Sequence, residues 1–136
     1  MMDFNKLFLE YKKFIEDNSA YSPRIVKDFT YKSTYFPIIT FRMENSIDTY
    51  NRTLDSIEYY DDEYFTIMIY SQDVGSTSRN VILDELSKLT QIFMGTYKNM
   101  KRTTFRNLPN LDTDVGRKLI QYQCRWDNIY GNIWRR

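Results

Sequence analysis

The chain lacks histidine altogether and has one cysteine, Cys124, among its 136 residues. Without histidine, the commonest metal ligand and the usual proton carrier near neutral pH are missing, so serine–histidine and cysteine–histidine catalysis are excluded. A single cysteine also excludes an intramolecular disulfide and any multi-cysteine metal site. We therefore expect Cys124 to be a packed thiol, and we expect the protein to use no metal and no cofactor.

Glycine and long apolar runs are also scarce. Four glycines spread over the chain cannot form a phosphate loop, a dinucleotide fingerprint or a nucleophile elbow. No apolar run approaches the roughly 20 residues that span a bilayer. The first residues, Met1–Lys6, lack the basic and apolar regions of a secretion signal. We expect a protein that does not enter a membrane and stays in the cytoplasm until it is assembled.

Aromatic residues, by contrast, are abundant. The chain has 12 Tyr and 9 Phe, and 42% of its residues are apolar. A chain of this length forms one domain, here residues 1–136, and can bury a core without a metal or a disulfide. Tyrosine is amphipathic and suits surfaces that become interfaces, although most tyrosines are expected at the edge of the core.

Charge is divided unevenly along the chain. Residues 91–136 hold 9 Lys and Arg against 3 Asp, a balance of +6, whereas residues 1–90 hold 10 basic and 15 acidic groups, a balance of −5. Complementary potential sets partner choice and register, so such a chain could join copies of itself through opposite surfaces. A well-solvated surface with uneven charge explains the pattern equally well.

Two segments have the apolar spacing of amphipathic helices. The first covers residues 4–17 with Asp3 as its N-cap, and its apolar residues recur every three or four positions. The second carries apolar residues from Val81 to Phe93, after the turn and cap residues of Gly75–Ser78. Gly95 is expected to end it. Both helices should pack on a sheet through their apolar stripes.

The remaining patterns indicate strands and turns. Strands are predicted weakly near residues 25–31, and more clearly over residues 38–44 after Pro37, 64–70 and 100–106. Residues 45–62 are polar and acidic and are predicted to form a loop, with any short element near Leu54 and Ile57. A hairpin is expected over residues 117–135 around a two-residue turn at Asp127-Asn128.

Together these elements predict an α+β fold in a single domain. Its sheet is mixed or antiparallel with about four to five strands, and the N-terminal helix and the second, long helix pack on it.

Basic and aromatic residues interleave in the last third of the chain, which raises nucleic-acid binding. Lys101, Arg102 and Arg106 lie close to Phe105, as in single-strand binders. Against this, the chain is nearly neutral, and Lys101 and Arg102 point to opposite faces of a strand. The sequence therefore favours a protein interface, although nucleic-acid binding stays open.

The junctions between the predicted elements follow a definite order. A strand opens with Pro37-Ile38-Ile39, and a tyrosine-rich strand, Tyr64–Tyr70, leads to a long helix that ends in Met94-Gly95. A basic strand then carries Lys101-Arg102, a turn follows at Asn107–Asn110, and an Arg-rich strand pair closes the chain. This series resembles that of tail terminator proteins of long-tailed bacteriophages. The likeness covers most of residues 1–136 and is concentrated after Val81.

The resemblance implies a structural protein without enzymatic activity that is part of the virion's tail or neck. Such proteins form a ring, usually a hexamer, on the head-proximal end of the tail tube, where they end tube growth. Their partners are copies of themselves, the tail tube protein, the head–tail connector and, in contractile tails, the sheath, and DNA can pass through the ring. The expected assembly interface comprises Lys101, Arg102, Thr103, Phe105, Arg106, Arg125 and Trp134.

Three alternatives remain at this stage. The nearest is another neck component, such as a head–tail joining protein, and the second is a small nucleic-acid-binding protein. The third is an enzyme, which would need carboxylates such as Asp61 and Glu63 to converge in a pocket. A solvated acidic loop is the simpler expectation for those residues.

Overall fold

A computed structural model of the chain describes residues 2–27, 36–44, 47–50, 60–108, 114–127 and 130–133. Within these residues lie two α-helices, a π-helical turn and seven strands. In chain order they are α1 (Phe4–Asn18), β1 (Arg24–Val26), β2 (Ile38–Met43), β3 (Ile47–Tyr50), β4 (Tyr60–Ser71), α2 (Arg79–Gln91), the π-helical turn (Ile92–Tyr97), β5 (Lys101–Leu108), β6 (Gly116–Asp127) and β7 (Asn132–Ile133). The predicted α+β fold is confirmed.

All seven strands belong to one mixed sheet. Its main order is β1-β2-β4-β6-β5, while β3 pairs with β4 and β7 pairs with β6. Strand β1 runs parallel to β2, and every other pair is antiparallel. The centre of the sheet is the pair β4–β6, which is continuous from Tyr60 opposite Asp127 to Ser71 opposite Gly116. These two long strands fix the position of every other element.

Helix α1 agrees closely with its prediction. The Asp3 side chain accepts a hydrogen bond from the Lys6 backbone N–H at 3.2 Å, as an N-cap should. At the other end, the Ser19 backbone N–H donates to the Ile15 carbonyl at 2.8 Å. The buried side of the helix consists of Leu7, Phe8, Tyr11 and Ile15. Their spacing of three or four residues places them on one face against the sheet.

Helix α2 also packs on the sheet, although its boundaries and stripe differ in part from the prediction. Its first N–H, that of Arg79, is held by the Asp73 carboxylate at 2.8 Å, and Ser78 makes no side-chain cap bond. Ile82 and Leu86 are fully buried. Val81, which was expected in the buried stripe, is exposed, and Leu83 is buried in its place.

The prediction that Gly95 ends the second helix is wrong. The chain continues past α2 as the π-helical turn, and the Lys98 backbone N–H donates to the Phe93 carbonyl at 3.0 Å. Phe93 and Met94 within this wider turn are both buried in the core. The reversal comes later, at Asn99, which has a φ of 54°.

The loop predicted over residues 45–62 is also wrong in part. Strand β3 lies within it, and β4 begins at Tyr60, four residues before the predicted start. Strand pairing provides the reason. Strand β4 pairs with β6 along its whole length, so the acidic residues at its start are also held in the strand. The short element considered near Leu54 and Ile57 falls outside the described residues.

The C-terminal hairpin exists, but its turn is longer than predicted. Asp127 pairs with Asn132, so four residues separate the strands instead of two. Gly131, at a φ of 66°, takes the left-handed conformation, and its N–H donates to the Asp127 carbonyl at 2.8 Å. The Asp127 side chain accepts from the Tyr130 N–H at 3.1 Å. The returning strand β7 is correspondingly short, and the turn expected at Pro109-Asn110 lies outside the described residues.

The core lies between the helices and one face of the sheet. Its centre is an aromatic cluster around the fully buried Phe41, whose ring lies 4.8 Å from Tyr11, 5.4 Å from Phe4 and 5.9 Å from Phe65, centroid to centroid. Offset and tilted rings at these separations add to the gain from burial. We call this side the helix-covered face and the opposite side the open face.

Candidate assembly interface

Strand β5 forms one lateral edge of the sheet. It pairs with β6 on its inner side, and no strand among the described residues pairs with its outer side. Six of its eight residues are exposed, and Phe105 is one of them at 39%. An eight-residue edge offers a row of backbone donors and acceptors to another chain. The interface predicted from the sequence therefore lies on a surface suited to association.

A β-bulge interrupts this edge. Arg102 pairs with Tyr122 and Thr104 pairs with Gln121, so Thr103 is the extra residue. The Thr103 hydroxyl donates to the Gln121 carbonyl at 3.3 Å. Bulges and charged residues are the means by which edges are kept from pairing indiscriminately. Strand β5 has both, so its edge is available but selective.

The helix-covered side of β5 carries a cluster centred on Phe105. The Arg102 guanidinium lies 4.8 Å and the Lys118 ammonium 5.0 Å from the ring centroid. Arg102 also donates to the Gln91 side chain, and the Lys118 ammonium lies 2.7 Å from an Asp84 carboxylate oxygen. Two cations held on one ring by partners on α2 make this part of the edge rigid.

Lys101 and Arg125 meet at a shallow depression beside β6, between the start of β5 and β7. The depression has a volume of about 280 Å³ and is lined by Asp62, Asn99, Met100, Lys101, Gln123, Cys124 and Arg125. The Arg125 Nε lies 3.4 Å from a carboxylate oxygen of Asp62, which is itself 4% exposed. This ion pair occupies the polar wall of the depression.

The Cys124 thiol lies at the base of this depression and is unsuited to nucleophilic chemistry. Its pKa is raised to about 12, first by burial and then by the nearby carboxylates of Glu63 and Asp62. The thiolate is the reactive form, so the thiol is inert near neutral pH. The structure therefore agrees with a packed cysteine.

The open face is organised by polar pairs between β4 and β6. The Gln121 amide donates to the Thr66 hydroxyl at 3.3 Å and the Gln123 amide donates to the Tyr64 hydroxyl at 3.4 Å. The next pair along the strands is that of Asp62 and Arg125. These cross-strand partners satisfy polar groups on a face that no described helix covers.

The predicted interface residues divide between the two sides of β5. Arg102 and Phe105 lie on the helix-covered side, whereas Lys101 lies on the side of the depression with Arg125. Arg106 and Thr103 are exposed on the same strand. Trp134 lies outside the described residues.

Sequence reasoning missed Lys118 and strand β3. Lys118 alternates with the core residues Ile120 and Tyr122. A single cation in this apolar series was the signal that could have identified Lys118 from the sequence. It is 8% exposed and pairs with Asp84. Strand β3 pairs only with β4 among the described residues and so forms an edge on the other side of the sheet. Its Ile-Asp-Thr-Tyr sequence is too short to predict as a strand.

Of the two carboxylates considered for an enzyme, only Glu63 has a described side chain. Glu63 is completely buried in β4, opposite Cys124, and the side chain of Asp61 lies outside the described ones. Among the described residues, no group of three or more Cys, Asp or Glu is placed to hold a metal ion. In the same part of the chain, neither helix is long and apolar enough to cross a membrane.

Comparison with models of known protein families and with curated proteins finds no match to this chain.

Proposed function

We propose that the chain is a structural virion protein, a tail terminator that forms a ring on the head-proximal end of a phage tail tube. There it ends tube growth and offers a docking surface to the head connector, and to the sheath where the tail contracts. The observation that carries the proposal is the exposed, cationic edge strand β5, whose outer backbone donors and acceptors have no strand partner among the described residues. The sequence resemblance supplies the kind of assembly.

The chemistry of the described residues supports a role in association. The Cys124 thiol is held protonated, and the depression beside it is shallow and already carries the Asp62–Arg125 ion pair. Strand β5, in contrast, presents backbone groups, cations and an aromatic ring outward. Arg and aromatic residues are enriched at protein interfaces.

Electron microscopy of negatively stained tail tubes tests this function. Purified protein should form rings, six-fold if the resemblance holds, and should sit at one end of each tube. Tubes mixed with the protein should also stop growing when tube subunits are added. A phage that lacks the protein and still builds tails of normal length joined to heads would contradict the proposal.

A second structural role, that of a head–tail joining protein, is separated by the same experiment. A joining protein would remain with isolated heads and would leave tube growth unchanged. The location of the protein on heads or on tubes, detected with an antibody label, decides between them.

Nucleic-acid binding is the candidate from a different class, and the cations of β5 around Phe105 favour it. If the protein binds DNA through Lys101 and Arg102, replacing both with Ala should reduce the slope of log K against log salt by about 2. Binding that is absent, or insensitive to salt and to both substitutions, would eliminate this function.

A further inference from the structure

We propose that the outer edge of β5 pairs, antiparallel, with the outer edge of β3 in a second copy of the chain, so that copies join head to tail in one continuous sheet. The pairing names the contact between neighbouring copies in the proposed ring. Its placement in a ring rests on the proposed function. A contact between two different surfaces of the same chain repeats from copy to copy, and it closes into a ring when its rotation allows.

The two edges lie on opposite sides of the sheet. Strand β5 lies outside β6, and β3 lies outside β4, so the order across this part of the sheet is β3-β4-β6-β5. Each of the two outer strands has one strand partner among the described residues. A second copy can therefore add at either side without displacing any of the described strands.

Strand direction favours the same contact. The four strands alternate in direction, because β3–β4, β4–β6 and β6–β5 are all antiparallel. When a neighbour is related by rotation about an axis along the strands, its β3 runs opposite to β5. The alternation then continues across the contact without a change of hydrogen-bond pattern.

Strands β3 and β5 are displaced relative to each other along the strand direction, by the amount that a closed sheet needs. The centre of β3 is level with Asp61, and the centre of β5 is level with Thr66 and Ile67, about five residues further along β4. Five residues correspond to roughly 17 Å along the strands, and four strands to roughly 19 Å across them. The strands of a ring built this way would tilt by about 40°, within the range of about 35–45° found in closed sheets.

Charge selects β3 over the other edges. Strand β5 carries Lys101, Arg102 and Arg106, whereas the sequence around β3 and before β4, residues 44–59, contains four acidic residues and one basic residue. Pairing two β5 edges would bring six cations together. Strand β1, the remaining edge, begins with Arg24 and is followed by Lys27, so it would also meet β5 with like charge.

Disulfide trapping in solution tests the contact. In a Cys124→Ser background, we would combine Thr49→Cys or Tyr50→Cys on β3 with Thr104→Cys or Asn107→Cys on β5. Both β3 positions are used because the register shifts between Asp48 and Tyr50. Thr104 and Asn107 pair with Gln121 and Lys118, which lie on opposite faces, so both faces of β5 are sampled. At least one combination should give a ladder of disulfide-linked oligomers on a non-reducing gel.

Matched controls make each outcome decisive. Asn107→Cys alone should give no dimer, and a strong dimer would indicate pairing of two β5 edges and overturn the proposal. A ladder from Val26→Cys with Asn107→Cys, in place of the β3 combinations, would assign the contact to β1 and overturn it too. A chain that oligomerises without any β3–β5 ladder, or that stays monomeric at every concentration tested, also contradicts the pairing.

Charge reversal gives a second measurement that does not depend on cysteine geometry. Lys101→Glu with Arg106→Glu should weaken self-association by about tenfold, which corresponds to about 1.4 kcal/mol. Adding Asp48→Lys should restore part of the loss, whereas Lys13→Glu on the exposed side of α1 should leave association unchanged. Circular dichroism verifies that the variants fold. The contact would be refuted if the β5 double variant, its combination with Asp48→Lys and the Lys13→Glu variant all changed self-association equally.

The trapping experiment separates the contact from the function. If ladders form and no ring caps a tail tube, the pairing stands and the tail-terminator function fails. If rings cap tubes and no β3–β5 ladder forms, the function stands and the pairing fails.

Discussion

The two faces of the β4–β6 pair use the same strands for different purposes. On the helix-covered face, Phe65, Ile67 and Ile69 are almost fully buried under α1 and α2. On the open face, the alternate residues Tyr64 and Thr66 hydrogen-bond to side chains of β6. One face thus carries the main apolar core, and the other combines cross-strand polar pairs with a smaller buried cluster of Ile38, Tyr70 and Val115.

This difference indicates where the protein can change without unfolding. The main core lies on the helix-covered face, so substitutions there act on stability. The β5 edge, where most residues are exposed, contributes less burial and is a surface that a partner can reach. The four predictions below would break or sharpen this contrast, starting with the largest effect.

The first prediction compares two phenylalanines. Phe41→Ala removes the centre of the aromatic cluster, where the side chain is fully buried, and should lower the free energy of unfolding by about 3–5 kcal/mol. Phe105→Ala, on the β5 edge, is the matched control and should cost at most about 1 kcal/mol. Equal losses in chemical denaturation would show that the edge is as tightly packed as the core.

The second prediction concerns alkaline pH. Burial raises the pKa of Tyr122 to about 12, and the Arg102 charge lowers it by a smaller amount. An unfolded tyrosine ionises near pH 10, so between about pH 10 and 12 the unfolded state binds fewer protons and stability falls as pH rises. Below pH 10 the stability that Tyr122 contributes is fully present. By pH 12 roughly 2 kcal/mol of it is lost.

Unfolding measured from pH 8 to 12 checks this effect. The Tyr122→Phe variant should lose less stability than the wild type across the upper part of that range, because the residue at 122 no longer ionises. Identical pH dependence of the two proteins would contradict the assignment. Burial also raises the pKa of Tyr11, and the nearby Tyr122 raises it by a smaller amount, so Tyr11 ionises later than Tyr122.

The third prediction contrasts the hydroxyl groups of two buried tyrosines at neutral pH. The Tyr11 hydroxyl forms a 2.8 Å hydrogen bond with the Thr90 hydroxyl, so Tyr11→Phe should cost about 1 kcal/mol. The Tyr122 hydroxyl has no hydrogen-bond partner among the described residues, so Tyr122→Phe should leave stability unchanged or raise it slightly. A large loss at Tyr122 in denaturant titrations would reveal a polar contact made by that hydroxyl.

The smallest expected effect is on the open face. Gln121→Ala removes one cross-strand hydrogen bond from a half-buried side chain and should change the free energy of unfolding by about 0.5 kcal/mol or less. Ile120→Ala, one residue earlier on the helix-covered face, should cost about 2–5 kcal/mol. The two variants measure both faces at neighbouring positions of one strand, and a costly Gln121→Ala would break the contrast.

Local patterns were sufficient where the sequence has a strong period. The spacing of Leu7, Tyr11 and Ile15 predicted α1 to within one residue at its C-terminal end, and Asp3 acts as its cap. The strand-like residues 64–70 predicted β4, although the strand begins four residues earlier. In these segments, the local pattern and the tertiary environment favour the same structure.

Local patterns failed where distant partners decide the backbone conformation. The acidic start of β4 is a strand because β6 pairs with it, although its residues alone are typical of a loop. Gly95 looks like a helix end, but Phe93 and Met94 reach the core through a π-helical turn. The position of the reversing glycine in the last hairpin depends on register, which a turn dipeptide does not fix.

The sequence by itself determined the two helices, the main strands, the absence of histidine-based chemistry and the concentration of cations in the last third. These properties follow from composition and from short-range spacing. Only the tertiary structure decided that β5 lies at the edge of the sheet, that Arg102 and Lys118 flank Phe105, and that β3 forms an edge on the opposite side. Sheet order brings together residues distant in sequence, and no local preference encodes which strand is left at an edge.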